Sequence, residues 1–129
     1  RRLMLYEVET VPEDYFGIPK VQNIAELHGI EYIMTSKRLY IEGYTLKHCV
    51  YTSYGDITRK KQYLVFNINS HTLGLRVSKP LDSKSVVAQW DQLYGKFNSS
   101  PDAYTTTIAE SFVKNLNEAL QEKEALLSV

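Results

Sequence analysis

The chain has 129 residues, 43% of them apolar and 23% charged, and its 15 basic and 15 acidic side chains cancel to a net charge of zero. That is enough for one soluble globular domain whose core needs no disulfide or metal staple. A lone cysteine excludes an internal disulfide, no stretch reaches the roughly 18 apolar residues of a membrane span, and zero net charge gives no overall pull toward nucleic acid.

The cysteine usage points to a reducing, cytoplasmic setting. The chain begins Arg1-Arg2 with no apolar segment behind it, so it does not open on a signal peptide and reads as the cut end of a longer chain. Charge is unevenly spread: residues 1–43 carry −2, residues 44–101 carry +5 and residues 102–129 carry −3. A basic face is therefore available in the middle segment of a neutral protein.

Residues 1–19 form an irregular lead-in, punctuated by Pro12, Gly17 and Pro19. Val21 to His28 reads as a short helix stopped by Gly29, and Glu31-Tyr32-Ile33-Met34 as a short strand. Ser36 is placed to cap a helix that Gly43 ends or bends. Thr45 is placed to cap the next helix, in which Leu46, Cys49, Val50 and Tyr54 recur at helical steps and His48 lies on the flank. Arg59-Lys60-Lys61 form its basic exit.

Gln62–Ile68 and His71–Ser78 read as two strands joined by the turn Asn69-Ser70, and Ser85–Gln92 as a third. Short links make these an antiparallel meander with one face free to pack on helices. Gly74 inside a strand implies a bulge or a close approach by another group. A polar loop from Gly95 to Pro101 precedes a long helix capped at Asp102, with an apolar stripe of Ile108, Phe112, Leu116, Leu120 and Leu127. The expected architecture is a single α+β domain over residues 1–129: a helical lead-in (1–43), a motif-bearing helix and three-stranded meander (44–101), and a C-terminal helix (102–129).

Two polar clusters stand out, Glu42–Val50 and Gln92–Asn98. Together with the strands between them they resemble the PcfJ-like domain of conjugative plasmids, related mobile elements and phages. That family's pattern runs E-G-x-x-L-x-H-C-V-x-x-Y, then T-L-E-I in a strand, then Q-x-R-G-K-x-N-x-x-P. The matching residues are Glu42, Gly43, Leu46, His48, Cys49 and Val50, with Tyr54 one place late; then Thr72, Leu73 and Leu75; then Gln92, Gly95, Lys96, Asn98 and Pro101. Gly74 replaces the family's glutamate and Tyr94 its arginine. The resemblance covers residues 42–101 and implies a mobile-element or phage setting more than a particular reaction.

The residues offer three kinds of function. Arg59, Lys60, Lys61, Arg76 and Lys96, interleaved with Tyr94 and other aromatics, suit binding of single-stranded DNA or RNA; Gln92, Gly95 and Asn98 would complete that site. The acidic ends, ten tyrosines and long C-terminal helix suit a protein-interaction module acting on a host or mobile-element complex. The third kind is an enzyme, either a Cys/His hydrolase or a metal-dependent nuclease. In the hydrolase, Cys49 would be the nucleophile. Adjacent helical residues point about 100° apart, so the base would come from His71 rather than from His48. Glu42, Asp56 and Asp91 are too scattered for a nuclease metal site, and His48-Cys49 lacks zinc-ligand spacing, so no metal or other cofactor is assigned.

Overall fold

The structure is a computed structural model that describes residues 9–11, 13–47, 50–78 and 87–128, with backbone alone at 51–53 and 122–128. Helix α1 is Pro19–Leu27, opened by a proline whose fixed φ suits the first helical position. Strand β1 is Glu31–Tyr32. Helix α2 is Ser36–Leu46 and α3 is Val50–Arg59. Strands β2 (Tyr63–Ile68), β3 (His71–Val77) and β4 (Ala88–Tyr94) follow, then a 310 turn at Lys96–Asn98 and the long helix α4, Ala103–Ser128.

The fold is α+β with an antiparallel sheet in the order β1-β2-β3-β4. The meander expected from the sequence has three strands; the short β1 adds a fourth, pairing Glu31 with Asn67 and Tyr32 with Phe66. Helices cover both faces, where the sequence implied one. Leu64, Phe66, Leu73, Leu75 and Leu93 pack with α1 and with Phe112 and Leu116 of α4, while Tyr63 and Val65 pack on the other side with Leu39 of α2 and Val50 of α3. This is why Tyr63-Leu64-Val65-Phe66 is an unbroken apolar run and not an alternating one: β2 is buried on both sides. Each such fully buried side chain contributes about 1.5–3 kcal/mol.

The helix boundaries between residues 35 and 50 differ from those expected. Thr35, not Ser36, caps α2, its hydroxyl accepting from the Arg38 amide at 3.1 Å. Gly43 neither ends nor caps the helix but lies buried inside it, and Thr45 sits in its last turn. Lys47 closes α2 in the left-handed conformation (φ 56°), its N–H returning to the Gly43 and Tyr44 carbonyls, so Thr45 caps no helix and α3 starts at Val50.

Two features anchor the upper end of the sheet. Asn69 and Ser70 both have positive φ, as a two-residue hairpin of this twist requires. The Asn69 amide donates to Thr105 at 2.9 Å, tying the hairpin tip to the first turn of α4. Asp102 caps that helix as expected, accepting the Thr105 amide at 2.7 Å. At the opposite end of the sheet, the Asn117 side chain donates to the Ala88 carbonyl at 3.0 Å and accepts its N–H at 2.7 Å. One amide thus covers part of the open edge of β4.

Candidate functional site

The candidate residues fall into three groups. The first surrounds Tyr63 at the lower half of the sheet. Its ring stacks on Tyr54 at 4.7 Å and 14°, and the Arg76 guanidinium lies over both rings. The phenol donates to Asp91 at 2.7 Å and accepts from Gln92 at 2.9 Å, and Asp91 also takes Arg76 at 3.1 Å. Consecutive strand residues normally face opposite ways. Here the pairing slips between Gly74 and Leu75, leaving Asp91 as an extra residue, so Asp91 and Gln92 both reach Tyr63. Burial, then the bond to Asp91, drives the Tyr63 phenol well above the usual tyrosine range. Gln92 and Arg76 are therefore engaged within the fold, as is Arg59, which pairs with Asp56.

The second group is centred on Glu42, only 2% exposed. Its carboxylate accepts Arg38 at 2.9 Å, the Asn67 amide on both oxygens at 2.9–3.0 Å, and the Thr72 hydroxyl. Arg38 reaches on to Glu31 through two further bonds of 2.8 and 2.9 Å. A buried carboxylate is tolerable only with such saturation. Glu42 is thus the fastener joining α2 to β2 and β3, and it is not open to a substrate.

The third group is exposed and follows β4. Tyr94 ends the strand, Gly95 is buried, and Lys96-Phe97-Asn98 form the 310 turn with Phe97 and Asn98 at positive φ. Phe97 is 69% exposed, and the Lys96 ammonium lies 5.5 Å from its ring centroid. A Cβ on Gly95 would come within 3.0 Å of the His71 ring and 2.9 Å of the Ser99 hydroxyl, so this position admits only glycine without movement. His71 Nδ1 donates to the Asn69 carbonyl at 2.7 Å and the opposite edge of the ring packs on Gly95, which leaves it a packing role at the base of the turn. Helix α2 packs against the same turn. On α2 the Lys47 ammonium sits 4.6 Å from the Tyr44 ring centroid, and Tyr44 is paired with Tyr40.

The proposed basic face is therefore divided. Lys60 and Lys61 are exposed where α3 leads into β2, near the Arg76 end of β3, whereas Lys96 and Asn98 lie by the His71 end. His71 and Arg76 are five strand residues apart, about 17 Å. His48 and Cys49, the proposed Cys/His centre, lie outside the described residues. Among the described residues no group of three or more His, Cys, Asp and Glu side chains is placed to hold a metal ion, and no helix is long and apolar enough to cross a membrane.

The sequence offers Trp90 and Phe97 among the aromatics interleaved with the basic residues, with a core position as the alternative for Trp90; Trp90 is 43% exposed on the edge strand. Tyr104, in the first turn of α4, is likewise exposed. In comparisons with family models, curated proteins and solved structures, nothing matches this chain.

Proposed function

We propose that this chain is a single-strand nucleic-acid-binding domain of a mobile genetic element or phage, the setting that its resemblance to PcfJ-like domains implies. The observation that carries the reading is the 310 turn, where the Lys96 ammonium lies over the exposed Phe97 ring. An ammonium for phosphate beside an open aromatic face for a base is the pairing that single-strand binders use. Tyr94, which precedes the turn, and the Tyr44–Lys47 pair on the helix packed against it supply further faces and charge. Trp90 is on the other face of β4, across the bulge at Asp91, and takes no part in this surface. Arg59 and Arg76 contribute less, because each already pairs with an aspartate. Lys60 and Lys61 would meet only a strand long enough to run the length of the sheet.

The test is fluorescence anisotropy with labelled single- and double-stranded DNA and RNA at low and moderate salt, with Mg²⁺ or with EDTA. Salt-sensitive binding that favours single strands, without cleavage, supports the domain as a binder. Mg²⁺-dependent cleavage would make it a nuclease. A second reading, a protein-interaction module, is favoured by β4 being an edge strand with Trp90 exposed. Affinity for a protein partner that does not change with salt would select it.

A further inference from the structure

On the side of the sheet that carries α2 and α3, the side chains of β3 and β4 are only partly covered. Residues paired across an antiparallel ladder share a face. Tyr94 pairs with Thr72, whose hydroxyl bonds Glu42 of α2. Gln92 pairs with Gly74, which pairs in turn with Val65, and Arg76 pairs with Tyr63; Tyr63 and Val65 both pack with α2 and α3. Tyr94, Gln92 and Arg76 therefore lie on that side, Tyr94 and the Arg76 side chain exposed and Gln92 half-buried. They form a diagonal with a cationic end at each extremity. Lys96 and Phe97 follow Tyr94 at one end. At the other, the Val77 N–H donates to the Gln62 carbonyl at 3.0 Å, which sets the exposed Lys60 and Lys61 just beyond Arg76. Between the ends the charges cancel, because Arg76 is held by Asp91 at 3.1 Å.

We propose that a single strand of nucleic acid crosses the sheet along this diagonal, with its phosphates held at Lys96 and again at Lys60 and Lys61. The inference rests on the single-strand reading above and adds to it a path and a minimum length. Five strand residues, His71 to Arg76, and two strand spacings across put the cationic ends about 20 Å apart. At a rise of about 3.4 Å per stacked nucleotide that is about six steps, and fewer for a stretched strand. A trimer seated on Phe97 stops short of the far lysines, and the neutral middle offers it no further cation. A longer strand reaches both. Each phosphate neutralised on a single strand steepens the fall of log affinity with log salt by about 0.7, so a strand that spans the diagonal carries a slope steeper by about 1.4 from the two lysines.

Fluorescence anisotropy over a salt series decides the matter, with labelled thymidine oligomers of three and eight nucleotides and two proteins, the full chain and its Lys60→Gln/Lys61→Gln double variant. Comparing one octamer on two proteins removes the advantage that a longer strand has from its extra registers. The octamer slope should be steeper on the unaltered chain than on the double variant by about 1.4. The trimer, which reaches only the turn, should have the same affinity and slope on both. Lys96→Ala should weaken both lengths. If both lengths bind but the octamer slope is the same on the two proteins, the path is overturned and the single-strand reading stands. A trimer slope that also falls in the double variant overturns the path, since the far lysines would then belong to the site at the turn. If neither length binds, the single-strand reading and the path fall together.

Discussion

The phenol of Tyr63 lies across Gly74, and a Cβ at residue 74 would overlap its hydroxyl and stand 2.6 Å from its Cζ. The pair explains a glycine in the middle of a central strand, a residue that strands otherwise disfavour. Gly74→Ala is expected to cost about 3 kcal/mol, because the buried ring, stacked on Tyr54 and bonded to Asp91 and Gln92, has nowhere to go. Urea denaturation of Gly74→Ala, Tyr63→Ala and the double variant checks it. The alanine should cost nearly nothing once the ring is gone, and additive losses would show that Tyr63 is not the cause.

Phe97 offers a way to separate binding from folding. Its φ of 57° suits glycine better than any other residue. Phe97→Gly should therefore leave the midpoint of thermal unfolding unchanged or raised, while lowering single-strand affinity by an amount equivalent to about 1–3 kcal/mol of lost stacking. Lys96→Ala should instead flatten the dependence of affinity on salt by about one counterion. Unchanged anisotropy titrations in both variants would remove the 310 turn from the binding surface.

Glu42 should matter for stability rather than for binding. Glu42→Ala leaves the Asn67 amide and Thr72 hydroxyl without their acceptor and Arg38 with a half-empty fork, at a cost of about 3–5 kcal/mol. Glu42→Gln keeps one acceptor oxygen and the shape, so it should lose less. Chemical denaturation that ranks the two the other way would contradict the network.

Acid should loosen the molecule at two named places. The hydrogen bond from Arg38 holds the Glu31 carboxyl below its ordinary 4.5, and the Thr105 amide holds Asp102 below its ordinary 3.8. Carboxyls whose folded pKa is depressed add stability above their unfolded values and lose it as pH falls through the folded ones. The unfolding midpoint should thus be flat at neutral pH and drop through and below the carboxylate range. Glu31→Gln should shrink the drop, and the protection factor of the Thr105 amide, its exchange rate divided into the intrinsic rate at each pH, should fall as Asp102 is protonated. A profile identical in Glu31→Gln would rule out the Arg38 pair as a contributor.

Local chemistry was written in the chain. The hairpin at Asn69-Ser70, the cap at Asp102, the apolar face of α4 and the α+β class follow from turn residues, capping residues and periodicity, which act within a few residues. Even the irregularity at Gly74 was legible, as was the polar character of the Gly95–Pro101 loop. Where signals competed, the tertiary structure decided. Ser36 and Thr45 look as good a cap as Thr35, but only Thr35 stands where the chain leaves its extended path, bridged to Tyr15, to enter α2. A two-residue strand such as β1 carries almost no periodic signal; its pairing with β2 is what makes it a strand. The division of the basic residues between two ends of the sheet, the saturation of Glu42 by Asn67 and Thr72, and the seating of Asn117 on Ala88 join residues 25 to 30 positions apart. Such contacts are set by the register of strands and the docking of helices, and those depend on the whole core packing at once rather than on any neighbouring residue.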